Sequence, residues 1–137
     1  MELIDKVQKK FPGHPIVLLG GPEDTERNQT LASKRKVILS STKRGLRDGL
    51  VSVEACDIVI TGDSLGMHMA IALEKYTVAW FGPTCDHEID LYDNGEAIKT
   101  SASCHPCWKR SCDKEIMCYD LVSMEQLVDS VERGLQC

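Results

Sequence analysis

Three stretches of the sequence hold residues whose types and spacing can do chemistry. The richest is TGDSLGMHMA, residues 61–70. Ser64 stands where it can cap a following helix. The N–H groups near Leu65, Gly66 and Met67 then face outward at the positive helix end, which suits an anion. Gly66 lets a ligand come close to the backbone. His68, in the first turn, can donate to a phosphate oxygen, and Asp63 can accept from sugar hydroxyls. A capped helix with a structural histidine accounts for the same residues, because caps are commoner than anion sites.

The second stretch is GGPEDTE at 20–26. A glycine pair after an apolar run invites a dinucleotide reading, but the spacing G-x-G-x-x-G is absent. Glu23, Asp24 and Glu26 would repel a phosphate at this turn, whereas a carboxylate suits ribose hydroxyls. Glu26 is the candidate. Pairing of these carboxylates with the helix dipole explains them without any ligand. A related turn, FGPTCDHE at 81–88, offers Thr84, Asp86 and His87 to the same kind of rim. Tight turn geometry alone accounts equally well for Gly82-Pro83. Lys34, Arg35, Lys36, Lys43, Arg44 and Arg47 make a local basic patch, suited to an anionic acceptor or simply to solvent.

The third stretch is Cys104-x2-Cys107-x4-Cys112-x5-Cys118. Four thiols this close can surround a tetrahedral zinc at about 2.3 Å, although only the x2 gap matches a paired knuckle. Lys109, Arg110 and Lys114 would favour thiolates, and His105 and His87 are spare ligands. Reduced thiols in a compact loop, or disulfides, are the alternatives. Cys56 and Cys137 read as incidental.

These residues need elements to position them. Leu3, Ile4, Val7 and Phe11 share a helical face over 2–11, stopped by Pro12-Gly13. Ile16 to Leu19 reads as a strand buried on both faces. A helix over 22–34 follows, then a strand at 37–39, a weaker helix over 46–56 and a strand at 58–60. Residues 65–74 are apolar on nearly every side, as in a buried helix. Thr77 to Phe81 is a fourth strand, and Ala97 to Thr100 a short fifth. Ser123 and Gln126 fit a capping box ahead of the stripe Met124, Leu127, Val128, Val131 and Leu135. Alternating strands and helices imply a parallel sheet covered on both sides, with ligands beyond the carboxyl ends of its strands. The loops at 20–26, 40–45, 61–68 and 82–88 leave those ends.

The chain has 137 residues, 42% of them hydrophobic, and a formal charge of −5. That is enough for one globular domain with a core, and too short for a two-domain enzyme. The acidic balance argues against nucleic acid as a partner. The apolar runs are too short to span a membrane. The start, MELIDKVQKKF, is too charged for a signal peptide, so a reducing cytoplasm is expected.

Taken together, ITGDSLGMHMAIALEKYTVAWFGPT, GGPEDTE and CHPCWKRSCDKEIMC resemble glycosyltransferase family 9, the ADP-heptose:lipopolysaccharide heptosyltransferases and their relatives. The resemblance covers roughly Glu2 to Gly134. It implies a Rossmann-like parallel sheet with helices on both faces, the carboxy-terminal half of a two-domain GT-B glycosyltransferase. Residues 1–137 would then be a single nucleotide-sugar-binding domain with a Cys-rich loop at 101–119. By the same resemblance Glu26 contacts the donor ribose and Asp63 the transferred sugar. Ser64, Leu65 and Gly66 would serve the diphosphate with His68 beside it, and Thr84 would contact or support the sugar. The catalytic base would lie in an amino-terminal acceptor domain outside this sequence. Many members read Asp-Ser-Gly-Pro-Met-His where this chain has Asp63-Ser64-Leu65-Gly66-Met67-His68, so the glycine is shifted by one.

The implied activity is bacterial. A heptose or similar sugar passes from an ADP-sugar, or another nucleotide-diphospho-sugar, to a lipopolysaccharide or other cell-surface glycan acceptor at the inner membrane. No cofactor is required for that chemistry; a structural zinc would be additional. A non-catalytic nucleotide-binding module and a Cys-cluster zinc or redox module are the competing readings.

Overall fold

The computed structural model describes residues 1–136, so Cys137 lies outside the described residues. The described chain gathers into two compact units, one of residues 1–57 and one from residue 58 onward.

The first unit runs α1 (Glu2–Lys10), β1 (Val17–Leu18), α2 (Thr25–Lys34), β2 (Ile38–Leu39) and α3 (Leu46–Glu54). A single 3-10 turn, Pro22–Asp24, leads into α2. β1 and β2 are parallel, with Val17 opposite Ile38 and Leu18 opposite Leu39. Side chains fix the helices to these strands. Asn28 is buried and donates from Nδ2 to the Leu19 carbonyl at 3.1 Å. Gln8 donates to the Lys36 carbonyl at 2.7 Å. Arg35 clasps the Asp5 carboxylate through Nε and Nη2.

Here the apolar runs overstate the strands. The run from Ile16 was expected to be buried on both faces, yet Val17 and Leu18 are only half-buried; each strand contributes two ladder residues, and Ile38 and Leu39 are 54% and 44% exposed. Among the described residues this ladder has two strands, so each keeps one edge unpaired. The basic stretch is also divided: Arg35 belongs to Asp5, and Arg44 lies 4.0 Å from Asp48.

The second unit runs β3 (Ile58–Gly62), α4 (Leu65–Ala72), β4 (Tyr76–Phe81), β5 (Gly95–Lys99) and α5 (Met124–Gly134). Its three strands are parallel in the order β3-β4-β5. β4 is central, and Thr77, Val78, Ala79 and Phe81 have no exposed surface. Successive side chains point to opposite faces. Ala79 and Phe81 meet Met67 and Ile71 of α4, with Ile89 beside them. On the other face Tyr76 lies against α5 at Gly134, and α5 buries Leu127, Val128 and Val131. Strand–helix alternation, parallel pairing and helices on both faces of β4 make this the α/β architecture that the sequence implied.

α5 is the helix best explained by its sequence. Ser123 Oγ accepts the Gln126 N–H at 3.2 Å, and Val122 is buried with Leu127. Near its other end Arg133 grips Glu96 of β5 at 2.5 and 2.6 Å, and the Tyr76 hydroxyl donates to the same carboxylate at 3.1 Å. α4 departs from expectation. Its composition is almost wholly apolar, yet only Met67 and Ala70 are buried, while Leu65 and His68 are exposed. One sheet face can cover only one side of a helix, whatever the helix is made of.

Candidate functional site

Each unit carries two of the four loops that leave strand ends. In the first unit, α2 begins with its acidic residues partly engaged. Asp24 accepts the Gly21 N–H at 3.1 Å and pairs with Arg27 at 2.8 Å. The Thr25 hydroxyl meets that of Thr42 at 2.6 Å, which ties the start of α2 to the 40–45 loop. Asp24 is therefore a structural carboxylate. The Glu26 carboxylate is exposed and has no hydrogen-bond partner among the described residues, so it can accept from a ligand hydroxyl. The adjoining cleft, about 550 Å³, is lined by Asn28, Ser40, Thr42, Lys43 and Arg44 among others.

In the second unit the 61–68 turn brings Asp63, Ser64, Leu65, Gly66 and His68 together at the carboxyl end of β3. Asp63 and His68 are exposed. Ser64 occupies the cap position but does not cap with its side chain. Its hydroxyl instead meets that of Thr61 at 3.0 Å. The Ser64 carbonyl accepts from the N–H groups of Met67 at 3.1 Å and His68 at 3.4 Å. Met67 is thus removed from the donors expected for an anion, because its N–H already has an intrahelical acceptor. The N–H groups of Leu65 and Gly66 have no backbone partner among the described residues and stand at the positive end of α4. A Cβ built on Gly66 would meet only Ser64 Oγ at 3.5 Å and Thr61 Oγ1 at 3.7 Å. A methyl here would sit in ordinary van der Waals contact with these two hydroxyls.

Thr84 lies half-buried in the turn after β4. The Cys-rich segment holds that turn in place, a role that the spacing of its cysteines does not announce. The Gly82 carbonyl is 2.7 Å from His105 Nδ1, and the Asp86 carboxylate is 3.1 Å from His105 Nε2. The N–H groups of Cys107 and Trp108 converge on the Pro83 carbonyl at 3.0 and 2.9 Å. Burial alone would raise the Asp86 carboxyl, but the His105 hydrogen bond, a backbone N–H and nearby cations hold it below the usual carboxylate range. Thr100, itself buried, closes the neck of the loop: it donates to the Cys118 carbonyl at 2.6 Å and accepts the Ala102 N–H at 3.1 Å.

The four thiols of the Cys-rich segment lie in one neighbourhood, with Cys107, Cys112 and Cys104 all acting electrostatically on Cys118. Among the described residues no three His, Cys, Asp or Glu side chains converge as metal ligands. Cys118 is buried, and burial, then the neighbouring cysteines, push its thiol up. Cys112 is exposed, and Cys104 and Cys107 are half-buried. The Lys114 ammonium sits beside Cys104, and this contact holds Lys114 above its ordinary value. His105 is committed to Gly82 and Asp86, and His87 is exposed on the surface.

Sequence reasoning also missed an aromatic pair at this rim. Trp80 and Tyr119 meet edge to face, with centroids 5.0 Å apart and planes at 82°. In the sequence, Trp80 looks like an ordinary strand residue, and Tyr119 simply follows the last clustered cysteine.

The sequence model described as "Glycosyltransferase family 9 (heptosyltransferase)" matches residues 1–117. The chain belongs to glycosyltransferase family 9. Two similar curated proteins of this family 9 member are both named lipooligosaccharide heptosyltransferase 2, from Campylobacter jejuni serotypes O:6 and O:2. They are 28% identical over 85 and 88 residues, which is 60% and 62% of this chain. Those matches take in 27% and 28% of the relatives' own lengths, so the chain corresponds to under a third of each.

Among solved structures, a family 9 glycosyl transferase from Veillonella parvula superposes with a TM-score of 0.81 at 26% identity, over 98% of this chain and 41% of that one. The ADP-heptose lipopolysaccharide heptosyltransferase II of E. coli gives 0.71 at 22% identity, over 98% and 40%, a likeness of fold.

Proposed function

We propose that this family 9 chain is the donor-binding part of a glycosyltransferase of lipopolysaccharide or lipooligosaccharide assembly. In this reading it takes a nucleotide-diphospho-sugar, an ADP-heptose or similar donor, and serves an acceptor glycolipid at the membrane surface. The observation that carries the reading is the 63–68 turn. It combines two unpaired N–H groups at a helix start, an exposed histidine and an exposed carboxylate within six residues.

The division of labour follows from charge. The diphosphate goes to the Leu65 and Gly66 N–H groups and to His68, because each supplies a donor and the helix end is positive. Asp63 would repel a phosphate, so it takes hydroxyls of the transferred sugar. Glu26 takes the ribose hydroxyls by the same logic, and Thr84 contacts or supports the sugar. As the sugar leaves, negative charge grows on the diphosphate, and these preorganised donors stabilise it. The base that activates the acceptor hydroxyl comes from the amino-terminal part of the whole enzyme. No step in this scheme requires a metal.

Titration of ADP and adenosine against the parent and three variants tests the reading. His68→Ala is expected to weaken ADP by about 1–3 kcal/mol and to leave adenosine alone. Gly66→Val should weaken ADP more than it lowers stability. Glu26→Ala should weaken ADP and adenosine alike, because the ribose is common to both. If His68→Ala and Gly66→Val bind ADP as the parent does, the diphosphate is bound elsewhere.

A further inference from the structure

The second unit carries an exposed aromatic residue, Tyr119, joined through Trp80 to the strand end that precedes Asp63, which the diphosphate scheme does not use. Tyr119 is 41% exposed although it is anchored on two sides. Its ring stands at 82° to the indole of Trp80, and it lies over Gly82, where an added Cβ would fall against the tyrosine ring and 3.1 Å from Cys118 Sγ. Trp80 in turn lies against Gly62, its register partner on β3, where a Cβ would come 3.3 Å from the indole. Glycine thus ends β3, and another follows β4, at the two places where the aromatic pair needs room. The next residue after Gly62 is Asp63. A braced ring and an exposed carboxylate on one rim suit a carbohydrate: the carboxylate accepts from hydroxyls while the ring covers a C–H face.

We propose that Tyr119, braced by Trp80 and seated over Gly82, is a specificity-determining contact for the transferred sugar, packing its ring on the sugar face whose hydroxyls Asp63 holds. This rests on the donor-binding reading above, and it adds what that reading lacks, an apolar wall for the sugar. Burial, then the neighbouring Cys118 and Asp63, push the Tyr119 phenol above its ordinary value.

Calorimetric titration of the whole chain with ADP and ADP-glucose, and with the UDP and GDP pairs of nucleotide and nucleotide-hexose, tests this. The quantity read is the ratio of nucleotide-sugar affinity to nucleotide affinity. Tyr119→Ala should lower that ratio about tenfold while nucleotide affinity stays within about twofold. Tyr119→Phe should keep the ratio, because the ring is retained. A second readout uses Trp80 alone. In a Trp108→Phe background, nucleotide-sugar should change the indole emission more than nucleotide does, and Tyr119→Ala should abolish that difference. An unchanged ratio in Tyr119→Ala, or an equal loss for nucleotide and nucleotide-sugar, overturns the sugar contact while leaving donor binding intact. Failure of the parent to bind any of the six ligands overturns the donor-binding reading, and the Tyr119 assignment with it.

Discussion

Gly82 concentrates several demands on one residue. It is buried, its carbonyl faces His105, and its missing side chain is replaced by the Tyr119 ring and the Cys118 sulfur. Gly82→Ala should therefore cost about 1–3 kcal/mol by overpacking, measured by urea denaturation. Tyr119→Ala in the same background should recover part of that loss, and strict additivity of the two changes would mean that the ring is not what the methyl strikes. At this scale the sequence was half legible. Asp63, Ser64, Gly66 and His68 stood out because they sit together in one short turn of polar and small residues. His105 did not, because both its partners lie about twenty residues away, and its place among cysteines pointed to a metal. Ser64 was placed correctly at the helix start, but its hydroxyl found Thr61 rather than the backbone, a choice that composition does not encode.

The elements were legible where a helix carries its own stop and start signals. Ser123, Gln126 and the stripe of α5 needed no tertiary information. Ser123→Ala should cost about 1 kcal/mol through the lost cap, read as a lower melting temperature; no change would show that the Gln126 N–H is equally satisfied by water. The far end of α5 is held by charge, and its pH dependence has a definite sign. The Arg133 hydrogen bonds hold Glu96 below its ordinary value of 4.5, against the opposing effect of burial. A carboxyl lowered by folding contributes stability above its unfolded pKa, and that contribution is lost as pH falls through the folded value. Melting temperature followed from about pH 7 to about pH 3 should show this loss, and Glu96→Gln should flatten it. An identical acid limb in Glu96→Gln would assign the loss to other carboxyls, Asp86 among them. The strands were less legible, because a continuous apolar run such as Ile16 to Leu19 does not reveal whether its neighbours continue the ladder.

Across the whole molecule, hydrogen bonding is unevenly distributed. The ladder of β3, β4 and β5 joins five residues in each pairing, whereas β1 and β2 join two. Native-state hydrogen exchange should find the slowest amides in β4, between two partners, and faster exchange at Val17 and Ile38. Uniform protection across both ladders would mean that the chain opens only as one piece. The isolated chain should bind donor and yet transfer no sugar, since the acceptor base is assigned to another part of the whole enzyme. Measurable turnover by these 137 residues, with ADP-sugar and acceptor lipid, would place the base within them.

The neck at Thr100 has a consequence for tolerance to length change. It fastens the loop at its root, and His105, Cys107 and Trp108 fasten its first part to the turn after β4. Residues 109–117 are all exposed and lie beyond these fastenings. Lengthening that arc adds only the entropy of a longer excursion between fixed ends, about 0.6 kcal/mol for each doubling. The arc is thus where foreign peptide can be spliced in, an epitope or a dye-binding tag, with the rim left in register. The same splice before Cys107 would separate His105 from the carbonyl it holds.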